Sequence, residues 1–160
     1  MERALKLALR HPFFRRKPPK TTGREEFGRE FVAQFLRWCG RRAKKDDVIA
    51  TATALTARSI GIALQMVLKE TSKMPVRGNG DYIVSGGGAH NKTLLAMLKR
   101  EVEPLGFKFT TTDQFELPAE AKEAAAFALL AYQTWHRQPG NLPCATGASR
   151  AAILGKIAYA

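Results

Sequence analysis

The run YIVSGGGAHN, Tyr82 to Asn91, sets the class of fold. Tyr82, Ile83 and Val84 form a short β-prone apolar run of the kind that makes a buried strand. Ser85, Gly86, Gly87 and Gly88 follow without a spacer, and His90 or Asn91 can cap a helix bearing Leu94, Leu95 and Leu98. A second strand is expected at Phe107 to Thr110. Strand, glycine turn, helix, strand and a further helix is α/β patterning. Three glycines at such a corner remove every Cβ that would hold a ligand off the backbone, and they permit positive φ. The helix behind adds unpaired N–H groups and the positive end of its dipole, which suits a nucleotide or phosphate. The motif is neither a Walker A loop nor GxGxxG. A glycine turn can also serve simply to pack a strand against a helix.

Upstream of this run the chain reads as helical. Met1 to Arg10 has Leu5 and Leu9 one turn apart. His11 to Thr22, HPFFRRKPPKTT, contains Pro12, Pro18 and Pro19 and is expected to be an extended or ordered connector. Thr22 is placed to cap a helix from about Arg24 to Trp38, with Glu25 and Glu26 in its favoured first turn. Phe27, Phe31, Phe35 and Trp38 give that helix an aromatic stripe, read as core packing. Asp46 or Asp47 can cap a longer helix to about Thr71, with Val48, Ala52, Leu55, Ser59, Ile62 and Met66 as its buried face. Pro75, Gly78 and Gly80 mark a loop.

Downstream, Pro118 fits the first turn of a helix reaching about His136, with Ala124, Phe127, Ala131 and Trp135 as its core face. The tail, PGNLPCATGASRAAILGKIAYA, is a Gly/Pro-rich loop followed by a short apolar segment.

The 160 residues, 45% hydrophobic and 25% charged, have ordinary globular composition. A chain this long buries roughly 70% of its unfolded surface, enough for one sizeable core. Cys39 and Cys144 stand far apart in no metal-ligand pattern and read as free thiols of a reducing compartment. The N-terminal apolar stretch is cut by Lys6 and Arg10 with no small-residue cleavage site after it, so a signal peptide is not expected. No run approaches the ~20 uninterrupted apolar residues of a bilayer span. The expected location is the cytoplasm.

The net charge of +12 is regional. Residues 1 to 45 hold 14 Lys or Arg against 4 Asp or Glu, and the remainder 12 against 10. Arg15, Arg16, Lys17, Lys20, Arg24, Arg41, Arg42, Lys44 and Lys45 carry most of the excess. Such a patch can meet nucleic-acid phosphates, an anionic small ligand or an acidic partner domain, or can be a solvated face. Aromatic residues are not interleaved as single-strand binders require.

Two further places have chemical interest. Glu123, in AKEAAAFALLA, interrupts a small, apolar helical stretch one turn from its start. It reads either as a solvated first-turn carboxylate or as one that accepts hydrogen bonds from a sugar. Thr21, Thr22, Gly23 and Arg24 have hydroxyls and a guanidinium beside a glycine, which fits a phosphate or sugar contact, or a plain helix cap. His11, His90 and His136 have no metal-ligand spacing, and neither cysteine has a nearby basic partner.

Four stretches together resemble the anhydro-N-acetylmuramic acid kinase family. They are HPFFRRKPPKTTGREEF (His11 to Phe27), IVSGGGAHN (Ile83 to Asn91), AEAKEAAAFALLA (Ala119 to Ala131) and PGNLPCATGA (Pro139 to Ala148), in the family's order and extending nearly end to end. The resemblance implies an α/β protein: the C-terminal lobe of an actin-like, hexokinase-like ATPase fold, helix-rich with a small sheet. On that reading residues 1–160 form a single lobe. Residues 1–22 are a helix and Pro-rich connector from a missing N-terminal lobe, and 23–160 are the α/β lobe.

The activity implied is transfer of the γ-phosphoryl group of ATP, with Mg²⁺, to anhydro-N-acetylmuramic acid. Water opens the 1,6-anhydro ring in the same reaction, in cell-wall recycling. By the same resemblance Gly86, Gly87, Gly88 and Asn91 are nucleotide-binding, and Glu123 contacts the anhydro-sugar. The chain departs from the family pattern in one respect. It has no Gly/Ser/Thr-rich phosphate loop and no DTGPGN-type aspartate, because Asp46, Asp47, Asp81 and Asp113 all have the wrong neighbours. No catalytic residue is therefore expected in this chain, and turnover by it alone should be negligible. Expected partners are ATP, the sugar, the missing N-terminal lobe and possibly a second copy. No membrane is expected. A non-catalytic nucleotide- or sugar-binding lobe is the alternative, and a basic nucleic-acid-binding domain the less favoured one.

Overall fold

The computed structural model describes residues 1–17, 20–70 and 80–158. Pro18, Pro19, Thr71, Pro75 and Gly78, which figured in the expected connector, helix end and loop, lie outside the described residues. The chain divides into two compact units. The first holds Met1–Val84 and Gly88–Thr111, and the second Ser85–Gly87 and Thr112–Ala160.

The first unit begins with α1 (Glu2–Ala8), which buries Ala4, Leu5 and Ala8. His11 opens a 3₁₀ turn over Pro12–Arg15, its Nδ1 accepting from the Phe13 N–H at 3.3 Å. This turn seats the HPFF segment on the expected aromatic stripe. The ring of Phe27 lies 4.9 Å from His11, 5.4 Å from Phe14 and 4.8 Å from Phe31. Phe31 in turn stacks on Phe35 and meets Trp38 edge-on. Ala4, Ala8, Phe35 and Cys39 form the buried cluster, with Phe31, Trp38, Val48 and Leu55 packed around it.

The single helix expected over Arg24–Trp38 is in fact two, α2 (Arg24–Phe27) and α3 (Arg29–Cys39). Gly28 breaks it with extended backbone, φ −86° and ψ −152°. A Cβ there would overlap the Arg24 carbonyl oxygen, so only glycine fits the break. Nor does Thr22 cap. Gly23 occupies the N-cap, and the Thr22 hydroxyl donates instead to Glu26 Oε2 at 2.7 Å.

The long helix is α4 (Lys45–Glu70), with Asp46 and Asp47 in its first turn. Its expected face, Val48 to Met66, is half-buried, except that Ala52 is exposed. The positions in full contact are Thr51, Ala57 and Gly61. The apolar stripe lies to one side of the line where a neighbour approaches closest. At Gly61 that neighbour is α5 (Lys92–Val102), and a Cβ there would sit 3.0 Å from Glu101 Cβ. Arg58 pairs with Glu101 at 3.0 Å across the same contact. By length and composition, Lys45–Lys69 is apolar enough to cross a bilayer, with a mean hydropathy of 1.3 over its best 18 residues. Helix α4 contacts α1 and α5 and carries the Arg58–Glu101 pair at mid-helix, with Thr51, Ala57 and Gly61 as its buried residues.

The strands are β1 (Asp81–Val84) and β2 (Lys108–Thr111), joined through α5 and paired in parallel from Asp81↔Lys108 to Val84↔Thr111. This is a β-α-β unit, and Leu98 and Val102 are the buried residues of its helix. Tyr82 stacks on Phe109 across the pair, centroids 6.0 Å apart. The expectation of a buried β1 is corrected, since Ile83 is 48% exposed.

The second unit contains α6 (Lys122–Trp135) and the short α7 (Pro143–Thr146). Pro118 lies outside α6. Its carbonyl accepts from the Ala121 N–H at 2.8 Å, and Ala121 is the N-cap. The core face expected for α6 is exposed, with Phe127 at 71% and Trp135 at 66%. Thr134 Oγ1 ties the tail to α6 by donating to the Leu154 carbonyl, and the Leu130 and Leu154 side chains meet beside Gly140. Within the tail, Gly140 N–H donates to the Ala152 carbonyl at 3.0 Å. Asn141 donates from Nδ2 to the Arg150 carbonyl at 3.0 Å and accepts from the Ala152 N–H at 2.7 Å.

Candidate functional site

The glycine turn joins β1 to α5, and its glycines differ in what they require. Gly86 has φ +82°, a conformation other residues adopt only under strain. Its N–H donates to the Ala119 carbonyl at 2.9 Å. A Cβ at Gly86 or Gly87 would meet nothing within 4 Å, and one at Gly88 would make ordinary contact with Leu94 at 3.6 Å. Close packing of strand on helix is therefore not what keeps Gly87 and Gly88 small. At Gly87 the missing Cβ leaves bare backbone facing open space, the requirement for a ligand that approaches the chain itself.

Gly87–His90 makes a 3₁₀ turn that leads into α5, and Asn91 is the helix cap. Its Oδ1 accepts from the Leu94 N–H at 3.0 Å, while its own N–H donates to the Gly88 carbonyl at 3.1 Å. The side chain thereby fixes the end of the glycine turn to the start of the helix. With Leu94 capped, the Lys92 and Thr93 N–H groups remain at the positive end of the helix without intrahelical acceptors. Gly86 and Gly87 belong to the second unit, and Gly88 and Asn91 to the first.

Glu123 stands in the first turn of α6, exposed, in the second unit. No side-chain cap fixes the start of α6, so the carboxylate's local effect is on the helix dipole.

Of Thr21 to Arg24, Thr22 is used internally. Thr22 and Arg16 both engage Glu26, the latter at 2.6 Å. The Thr22 hydroxyl first, and the Arg16 guanidinium after it, hold the Glu26 carboxyl below the ordinary carboxylate range. Lys20 likewise turns inward, its Nζ donating to the Phe13 carbonyl at 3.2 Å and sitting 4.8 Å over the Phe13 ring. Part of the basic patch thus serves to hold the HPFF connector. Cys39 is buried, which pushes its thiol pKa up, and Cys144 is exposed; both are free. No group of three His, Cys, Asp or Glu able to hold a metal occurs among the described residues.

One residue inside a quoted stretch was given no role by the sequence reading. Asn141 ties the PGNLPCATGA loop to the segment that follows, and the only sequence signal was an Asn amid Gly and Pro, a composition typical of turns.

A parallel β-α-β unit with an open glycine corner ahead of its helix places the protein in the α/β class. The family model for anhydro-N-acetylmuramic acid kinase matches residues 1–160, and the chain belongs to that family. A Bacillus cereus (strain AH187) protein named anhydro-N-acetylmuramic acid kinase is 36% identical over 159 residues. Proteins of the same name from Bacillus thuringiensis subsp. konkukian (strain 97-27) and Synechococcus sp. (strain CC9902) are each 35% identical, over 159 and 158 residues. In each case the match takes in 99% of this chain but only 40% of the relative's length.

Proposed function

We propose that this chain is the C-terminal lobe of an ATP-dependent anhydro-N-acetylmuramic acid kinase of the actin-like, hexokinase-like kind. It contributes the adenosine side of the nucleotide site and one sugar contact. The observation that carries this reading is the family match along the whole chain. The glycine corner supports the nucleotide assignment: Gly86, Gly87 and Gly88 offer bare backbone to the adenosine moiety, and Asn91 holds the corner against α5. Glu123 accepts hydrogen bonds from sugar hydroxyls, for which an exposed carboxylate is available.

The phosphate loop and the base that activates water belong to polypeptide this chain does not contain. Mg²⁺, which bridges and neutralises phosphate oxygens in phosphoryl transfer, finds no cluster of ligands among the described residues. Its ligands too would come from elsewhere in the enzyme. The protein works in the cytoplasm, as a kinase acting on a soluble sugar would.

The test is a pair of measurements. Calorimetric titration of ATP into the 160-residue chain should give a weak binding isotherm. Gly87→Val should lower that affinity about tenfold or more, equivalent to 1.4 kcal/mol, without changing the melting temperature, because a Cβ at Gly87 meets open space. Phosphorylation of anhydro-N-acetylmuramic acid by the chain alone should be undetectable. An isotherm unchanged by Gly87→Val would refute the nucleotide assignment, and turnover by the chain alone would refute its dependence on a second lobe.

A further inference from the structure

Helix α6 is apolar on nearly every side. Of its 14 residues, KEAAAFALLAYQTW, only Lys122, Glu123, Gln133 and Thr134 are fully polar, and the first two lie in its opening turn. Phe127, Leu129, Tyr132 and Trp135 are each more than half exposed. At 100° per residue these four spread over more than half the helix circumference. The tail approaches α6 near Leu130 and Thr134, at Gly140 and Gly155, and its Leu154 and Ile157 share a groove with Phe127 and Trp135 that leaves those rings more than half exposed. A helix apolar all round belongs in the interior of a protein.

The rest of the unit offers no interior. Neither α6 nor α7 has a buried residue, and Ala119 is the one fully buried apolar side chain among the unit's described residues. Lipid is a poor match, since 14 residues fall short of the ~20 that span a bilayer. A two-fold contact with a second copy covers one strip of the helix and leaves the rest of the arc in water. Polypeptide of the right origin is missing in quantity, because the chain matches only 40% of the length of its relatives.

We infer that α6 is an internal helix of a larger core, and that the walls of that core belong to the part of the family-length polypeptide this chain does not match. The inference rests on the proposed reading of the chain as one lobe of the kinase, and it names the surface where the other polypeptide sits. The second unit then folds with that polypeptide, and the exposed aromatic residues are its buried seam.

The experiment co-expresses the 160-residue chain with the portion of the Bacillus cereus relative that it leaves unmatched, and reads hydrogen exchange over residues 124–135. The chain alone should exchange these amides rapidly, and a one-to-one complex should slow them about 100-fold. Phe127→Glu should abolish the complex while leaving protection of α4 and α5 in the chain alone intact. If the pieces do not assemble, this chain is joined behind that portion as one polypeptide and the same amides are read. Open exchange at 124–135 in the complex or the joined protein overturns the inference. So does concentration-dependent protection in the chain alone, which would make a second copy the occupant. A complex with α6 protected but no sugar phosphorylation would refute the proposed function and leave this inference standing. Phosphorylation with α6 unprotected would do the reverse.

Discussion

The two units of this chain are held together by different physics. The first has an aromatic and aliphatic interior, in which Phe35 and Cys39 are buried among Ala4, Ala8 and the rings that follow from HPFF. The second is stitched by hydrogen bonds at Thr134, Gly140 and Asn141, while its large apolar side chains face water. Burial is the main favourable term in folding, whereas a net hydrogen bond contributes only about 0.5–1.5 kcal/mol. The difference therefore separates a unit that supplies its own stability from one that takes stability from whatever covers it.

Truncation of one phenylalanine in each unit tests this most directly. Phe35→Ala should cost about 3–5 kcal/mol, the usual range for a buried aromatic. Phe127→Ala, at 71% exposure, should fall within about 0.5 kcal/mol of the parent. Chemical denaturation of the two variants measures both, and similar losses would erase the contrast between the units.

A smaller effect is expected at Asn141, whose two tail hydrogen bonds are among the few tertiary contacts of the second unit. Asn141→Ala should cost about 1–3 kcal/mol locally. It should speed amide exchange at Ala152 while leaving α4 and α5 unchanged, and exchange that stays slow at Ala152 would mean the tail is held otherwise.

The smallest effect concerns Glu26 in the first unit. Thr22 and Arg16 hold its carboxyl pKa below the ordinary value, so the ionised form is favoured in the folded state. That contribution is present above the unfolded carboxylate pKa and is lost as pH falls through the folded one. Stability of the parent should therefore decline on acidification below about pH 4 more steeply than that of Glu26→Gln, since an unperturbed Glu titrates near about 4.3. Equal slopes would mean the pair is solvated away.

Residue order made much of this legible. The β-α-β unit, Asn91 as one of two candidate caps, the core role of the aromatic stripe and the existence of the long α4 all follow from local chemistry, whereas Asp46 and Asp47, expected as its cap, lie inside its first turn. The failures have a common cause. Apolar periodicity reports which side chains gain from burial, and it is silent on what provides the cover. Ile83 and the Phe127 face of α6 read as core because their chemistry asks for one, yet Ile83 is 48% and Phe127 71% exposed. Gly28 escaped for a different reason. A lone glycine inside a helical pattern is usually tolerated. Only the Arg24 carbonyl oxygen, standing where a side chain at position 28 would begin, reveals that the helix stops there. For the site, the turn residues were evident from the three glycines. Which of them is conformationally obliged, Gly86, and which merely leave room, Gly87 and Gly88, required the backbone geometry.

The contrast between the two cysteines has a practical consequence. A thiol reagent applied to the native chain meets Cys144 on α7 and finds Cys39 shut inside the first unit with its thiolate disfavoured. Labelling is thus site-selective without any mutation. The fast phase installs a reporter in the second unit, and the slow phase is a clock for how often the interior of the first unit opens.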